Sequence, residues 1–301
     1  MRWVWGCLAM RWRNLRLTGV LAVLSVFTAC QRSAPLLVSH PHYVIGKGWQ
    51  GQDGWFYPAE SFELRQTGLA IRETDTTPHV TADGEIWNAG SMTGAHQTLQ
   101  LPAVVTLRNI SNGRTVRIRL NERGPRSSGR LVAVTPKVAE LLGIMSQQPA
   151  PVELIVDEPA SRAMAEASPD APKLDIASAP RGDVVAESLD GKGGAARSVG
   201  SHESAGGRSS GGLVLENLPV QVMAGYAQPV SYAIQFGSFA GRAAATQVAL
   251  RCGAVVTTSA EAGRGLNWLV VKGPLATVAE ADNALAQAHG CGIAGARIVV
   301  E

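Results

Sequence analysis

Glu122 and His96 are two side chains whose types could do proton chemistry. Glu122 stands in the run Asn121-Glu122-Arg123-Gly124-Pro125, and His96 ends Thr93-Gly94-Ala95-His96. A carboxyl group can give or take a proton during bond cleavage. An imidazole beside it can hold it by hydrogen bond or share its proton. On residue type alone both have plainer uses. A glutamate next to Arg123 is ordinarily a solvated ion pair, and a lone histidine in a loop-like stretch is ordinarily a structural hydrogen-bonder. Thr81, Asp83 and Glu85 in TADGE, together with Thr93, either line a groove or serve as turn and cap residues. No metal site is read from the chain, because the six histidines are scattered without ligand spacing. His40 and His42, in HPHY, read as residues of an unstructured arm. No phosphate-binding loop is present and no cofactor is expected.

These side chains need elements to hold them. A chain of 301 residues suggests about two domains. Hydrophobic residues at 46% exclude wholesale disorder, while 33 glycines and only 5% aromatics indicate that part of the chain is unpacked. Residues 1–29 carry Arg2, Arg11, Arg13 and Arg16 and no acid, followed by the apolar run Leu17 to Phe27. That is the pattern of a secretory signal peptide, with Met10 a second candidate start. The run is too short to span a bilayer as a stable helix. Its end, VFTAC, resembles a bacterial lipobox, which makes Cys30 the expected lipidation site and a lipid anchor the expected membrane contact. Ordinary cleavage nearby is the alternative. Gln31, by analogy with enteric lipoproteins retained in the inner membrane by Asp at that place, points to the outer membrane.

Residues 30–68 read as a lipidated N-terminal arm whose YVIGKGWQGQDGWFYP packs aromatics on a neighbouring surface. Residues 69–156 read as short strands. In the hairpin VVTLRNISNGRTVRIRLN, Val116, Ile118 and Leu120 alternate with Thr115, Arg117, Arg119 and Asn121, the period of a half-buried strand. Asn112-Gly113 is the predicted turn, with positive φ at both positions. Thr135, Pro136 and Gly143 cap, start and stop a short helix. VELIV closes what reads as a small barrel. Residues 157–228 read as a flexible linker, rich in Gly and Ser between Gly191 and Gly212. A further domain around LVLENLPVQV is the alternative. Residues 229–301 run β-α-β-β-α-β, a ferredoxin-like sandwich, with Thr277 and Glu280 forming a capping box. Cys252 and Cys291 are either a disulfide or two buried thiols.

The middle segment resembles the rare lipoprotein A family through TADGE (81–85), MTGAHQTLQLP (92–102), the NGR turn (112–114), NERGP (121–125) and VAELLG (138–143). The last segment resembles the sporulation-related repeat (SPOR) domain through YAIQFGSFAGRAAA, WLVVKGPL and ARIVV. The resemblance implies a mainly β plus α+β chain: a six-stranded double-psi β-barrel, a disordered tether and a C-terminal ferredoxin-like βαββαβ domain. It also implies a lytic transglycosylase that cleaves the β-1,4 bond between N-acetylmuramic acid and N-acetylglucosamine, leaving a 1,6-anhydro product without water. A single acid suffices for that reaction, because the second nucleophile is the sugar's own C6 hydroxyl, whereas ordinary glycosidases need two carboxylates.

The family acid is the Asp of an NDRGP motif, matched here by Glu122, and the family His matches His96. Arg123 adjoins the acid as a substrate-binding candidate. In the SPOR-like domain Gln235 and Ser238 are expected to bond a glycan on the exposed sheet face, and Trp268 either stacks on a sugar or joins the core. The implied partners are peptide-stripped (denuded) peptidoglycan strands at the division septum, with division proteins besides. The implied place is the periplasmic face of the envelope. Three departures stand out. Glu122 reaches about 1.5 Å further than Asp, and misplacement of about that size can cost roughly a hundredfold in rate. The family's ASWYG is replaced by LAIRETD (69–75), and its IDLS by VAVT (132–135), which puts Ala133 where an Asp stands. A catalytically silent glycan-binding lipoprotein is therefore the second reading. Removing residues 1–29 takes four arginines from the 27 basic residues and none of the 24 acidic ones, so the formal charge goes from +3 to −1. The basic character belongs to targeting, and no nucleic-acid partner is expected.

Overall fold

Six strands close on themselves to make the barrel: β3 (Arg65–Arg72), β4 (Thr93–His96), β5 (Ala103–Asn109), β6 (Thr115–Glu122), β7 (Val132–Val134) and β8 (Ala150–Val156). Two further pairs precede and follow it, β1 (Trp49–Gln50) with β2 (Trp55–Phe56), and β9 (Val222–Met223) on β6. The computed structural model describes residues 36–145, 148–172, 215, 217–261 and 265–301. The signal peptide, Cys30, Gln31 and most of the expected linker lie outside the described residues.

Around the barrel the order is β4-β7-β3-β8-β5-β6, and a parallel β4–β6 pairing closes it. β3–β7 is the other parallel pair; the remaining ladders are antiparallel. Inward residues of β5, β6 and β8, including Val105, Leu107, Val116, Ile118, Leu120, Val152 and Leu154, fill the core. The predicted alternation of β6 therefore holds for its apolar set. It fails for Arg119 and Asn121, which point out of the barrel yet are buried, because the chain between β3 and β4 folds over them. The Glu85 carboxylate meets the Arg119 guanidinium in a two-pronged pair, with Nε and Nη2 each donating at 2.6 Å.

The β5–β6 loop is longer than the predicted two-residue turn. Gly113 N–H donates to the Asn109 carbonyl, Asn109 N–H donates to that of Arg114, and of the central pair only Gly113 has positive φ, +74°. Asn112 instead spends its side chain, with Nδ2 donating to Leu142 O at 2.9 Å and Oδ1 accepting from Arg114 N. A Cβ on Gly113 would also sit 2.4 Å from the Gly225 carbonyl carbon, so both conformation and space require glycine there. Helix α1 (Pro136–Leu142) has the predicted ends: Thr135 caps it, and Gly143 terminates it at φ +71°.

Two regions are more ordered than their composition suggests. β3 begins at Arg65, inside the expected arm, and the arm's backbone bonds to the barrel: His40 N–H to Gly84 O, His42 N–H to Asp83 O, and Val44 with Leu101 in both directions. His40 and His42 therefore do not lie in an unstructured arm. The expected linker opens with helix α2 (Glu158–Ala167), capped by Asp157. Its Ser161 hydroxyl replaces a missing strand neighbour for Val104, accepting from its N–H at 2.9 Å and bonded to its carbonyl at 3.0 Å.

The C-terminal elements are β10 (Tyr232–Phe239), α3 (Arg242–Cys252), β11 (Val255–Glu261), β12 (Gly265–Leu275), α4 (Val278–Gly290) and β13 (Arg297–Val300). The sheet order is β11-β12-β10-β13, antiparallel throughout, with both helices supplying alanines to one face. Cys252 and Cys291 form a disulfide with Cα atoms 6.0 Å apart, joining the ends of the two helices. Residues from Val38 onward form one compact unit. Within it Leu69 and Ile110 of the barrel join the C-terminal core, and the Thr67 hydroxyl bonds both the carbonyl and the N–H of Val300, at 2.8 and 3.0 Å. Among the described residues no helix is long and apolar enough to cross a membrane.

The buried ion pair is testable. Removing one partner strands the other charge out of water, at a cost of about 3–5 kcal/mol. Arg119→Met should lower the unfolding free energy in urea by that amount, and adding Glu85→Leu should restore much of it. A loss below about 1 kcal/mol for the single variant would show a solvated pair instead.

Candidate functional site

An open cleft of about 570 Å³ runs across the ends of β3, β7, β4 and β6. Its floor is made of small residues, Gly94 and Ala95 on β4 and Ala133 on β7, which leaves room above the strands. Glu122 stands at one wall, at the last position of β6. Its Oε1 accepts from the Arg123 N–H at 2.6 Å, and its Oε2 lies 3.4 Å from His79 Nε2. His79 is held from two sides. Its Nδ1 bonds to the Thr77 carbonyl at 3.0 Å, and its ring stacks on the buried Trp87 with centroids 5.9 Å apart. With Nδ1–H donating, a neutral imidazole has its lone pair at Nε2. That atom faces the Glu122 carboxyl, so His79 and Glu122 stand as neighbours at this wall of the cleft.

The opposite wall is the end of β3. Ile71, Glu73 and Asp75 all line the cleft. The Glu73 N–H donates to Val134 O at 2.8 Å, which extends the β3–β7 ladder by one residue and fixes the backbone beneath the carboxyl. Burial raises the Glu73 pKa from its ordinary value. The charges of Asp75 and Glu122 push the same way, and His79 opposes them.

His96 is not part of this arrangement. It is buried on β4, its Nδ1 accepts from the N–H groups of Thr98 and Leu99 at 3.2 and 3.1 Å, and it lines a separate cavity of about 190 Å³ between the barrel and the Ala294–Ile298 segment. The expected Glu122–His96 pairing is thus replaced by Glu122–His79. Burial lowers the His96 pKa to about 3, helped by the nearby Arg123 and Arg297 guanidiniums, and among the described residues its Nε2 has no hydrogen-bond partner.

The other expected residues divide between cleft and scaffold. Thr93 lines the cleft, with its hydroxyl 2.6 Å from that of Ser91. Thr81, Asp83 and Glu85 are buried turn residues: the Thr81 hydroxyl lies 2.8 Å from Asp83 Oδ1, which also accepts from the Glu85 N–H at 3.1 Å. Burial and the adjacent Glu85 charge raise the Asp83 pKa. Arg123 borders the cleft, yet its guanidinium turns away to the carbonyls of Leu99 and Ile45, fastening the arm to the barrel.

In the C-terminal sheet a bulge near Gly237 keeps Gln235 and Ser238 on one helix-free face, opposite Val271 and Leu269. Gln235 Oε1 accepts from Arg297 Nε and Nη2 at 3.1 and 2.8 Å. Trp268 opposes Phe239 on the helix side, packed on the core with the Arg242 guanidinium 5.3 Å from its ring centroid, so it does not share the face of Gln235 and Ser238. Among the described residues no group of three or more His, Cys, Asp or Glu is placed to hold a metal ion.

Two cleft residues escaped the motif reading, Glu73 and His79. Glu73 was visible as a continuation of period two: Ile71, Glu73 and Asp75 fall on one side of an extended chain. His79 carried no local signal.

The buried His96 makes a pH prediction. Its folded pKa lies below its ordinary value of 6.5, so its contribution to stability is complete above about pH 6.5 and is lost as pH falls toward 3. His96→Asn keeps an acceptor for the Thr98 and Leu99 N–H groups and does not titrate. Thermal unfolding from pH 7 to 4 should show a smaller fall in the variant than in the parent; parallel curves would place the imidazole in contact with water.

No protein-family model matches the chain. It is similar to the protein named endolytic peptidoglycan transglycosylase RlpA of Rickettsia felis, 32% identical over 110 residues, 35% of this chain and 48% of that one. The Vibrio cholerae protein of the same name is 37% identical over 84 residues, 27% of this chain and 32% of its own. A probable endolytic peptidoglycan transglycosylase RlpA of Nostoc is 40% identical over 101 residues, 34% and 25% of the two chains. The chain spans less than half the length of these curated relatives. With its closed six-stranded barrel, the chain is similar to the RlpA proteins over this segment.

Proposed function

We propose that the protein is an endolytic peptidoglycan lytic transglycosylase that cuts the MurNAc–GlcNAc β-1,4 bond and leaves a 1,6-anhydromuramoyl end. The observation that carries this reading is the Glu122 carboxyl, presented with His79 in an open cleft floored by Gly94, Ala95 and Ala133. The relatives named for this activity support it. The reaction needs one proton delivered to the leaving O4 and one removed from the C6 hydroxyl, and nothing else. Glu122 is one methylene longer than the family Asp, and the Arg123 N–H and His79 hold that longer arm in place.

The remaining parts of the proposal concern where this happens. Cys30 carries the lipid anchor, on the periplasmic face of the outer membrane. Residues 229–301 are a SPOR domain that holds peptide-poor septal glycan through Gln235 and Ser238 on the helix-free face, and division proteins are the expected neighbours. The helix-free placement of those two residues supports this.

Purified protein incubated with peptide-free glycan strands should release anhydromuramoyl products, and Glu122→Gln should abolish them. Strand binding without products from the parent protein would favour the silent glycan-binding reading. Retention on the same strands tests the second domain. Gln235→Ala with Ser238→Ala removes hydrogen bonds with a net value of about 0.5–1.5 kcal/mol each, for a combined drop of about tenfold. Unchanged retention would remove the sheet face from glycan binding.

A further inference from the structure

The cleft has a second carboxyl group that the one-acid scheme leaves without a task. We propose that Glu73 is the proton donor to the leaving oxygen, while Glu122, backed by His79, takes the proton of the attacking C6 hydroxyl. This rests on the transglycosylase reading and divides its proton traffic between two walls of one cleft.

Position comes first. In the barrel order β3-β7-β4-β6, Glu73 follows the end of the first strand and Glu122 ends the last, with β7 and β4 as the floor between them. A saccharide lying on that floor has one carboxyl on each side. O4 leaves and the C6 oxygen arrives on the same β face of C1, so a single carboxyl would have to serve the two in turn, whereas two carboxyls divide the transfers.

The surroundings then distinguish the roles. Glu122 accepts a backbone N–H at 2.6 Å and faces His79, contacts suited to a group that receives protons. Among the described residues no salt bridge reaches Glu73; the charged groups that act on it are Asp75 and Glu122, which raise its pKa, and His79, which lowers it. Burial and the two acids outweigh His79 and favour the protonated form of Glu73, the form a donor requires.

The step balances without water or redox chemistry. The C1–O4 bond breaks, its electron pair stays on O4, and O4 takes the Glu73 proton. The C6 oxygen bonds to C1 as its proton passes to Glu122. Glu73 ends ionised and Glu122 protonated. Return of that proton to Glu73, through solvent or His79, resets the cleft.

The test uses two substrates that differ in leaving group: peptide-free glycan strands, and a GlcNAc–MurNAc nitrophenyl β-glycoside, whose nitrophenolate departs without protonation. On strands, Glu73→Gln should lower turnover by about 10²–10⁴-fold, the usual contribution of a general acid. On the nitrophenyl glycoside it should recover to within about tenfold of the parent, which also shows that it folds. Glu122→Gln should fail on both. A Glu73→Gln protein within about threefold of the parent on strands, or one that loses equally on both substrates, overturns the assignment while leaving the transglycosylase reading intact. A parent protein that makes no anhydro product overturns both.

Discussion

The Arg119–Glu85 pair is the interaction on which the site depends. Its partners lie on β6 and on the chain that crosses from β3 to β4, and it fastens that chain to the outer face of the barrel. Two full charges leave water there, and good geometry must offset their desolvation. The two-pronged contact supplies it, aided by the Asp83 N–H that reaches the Asn121 carbonyl. The same crossing segment carries His79 and Trp87 to the cleft. The pair, with the Asp83–Asn121 bond and the buried Trp87, keeps the imidazole beside Glu122.

Neighbours in NERGP do separate work for the same reason of geometry. Successive residues of an extended chain point to opposite sides. Glu122 faces the cleft, and Arg123 turns its guanidinium to carbonyls of the arm and of the segment after β4. The loop that follows is tied down by Gln97, whose Nε2 donates to the carbonyls of Pro125, Ser127 and Arg130 at 2.8 to 3.1 Å. The arm is thereby part of the wall behind the site. Trp49 reinforces it, with Nε1 donating to Gln97 O and its ring 4.8 Å from that of Phe56.

The C-terminal domain packs beside the barrel rather than apart from it. Leu69 and Ile110 contribute apolar area to its core, and Arg130 makes a two-pronged bond to Asp282 at 2.7 and 3.0 Å. These contacts gather at the β13 and α4 edge of the domain. The cleft opens among β3, β7, β4 and β6, and among the described residues its lining comes from the barrel and its loops.

Much of the fold was legible because it rests on near neighbours. The cap at Thr135, the stop at Gly143, the strand period through Val116, Ile118 and Leu120, and the β-α-β-β-α-β order all follow from residues two to four apart. The Glu122 position was legible too, through a motif. The partner of that carboxyl was not. His96 and His79 are both single histidines in loop-like sequence, and nothing local tells which one the folded chain brings to Glu122. Burial of Arg119 and Asn121 was hidden in the same way, because an outward strand position is wet or dry according to what crosses it later. So was the side taken by Trp268, since a bulge near Gly237 shifts the register of its partner strand. The sequence by itself determined the elements, their ends and the acid at the end of β6. The tertiary structure decided which distant groups face that acid, because those contacts depend on the path of a returning chain and not on the spacing of its residues.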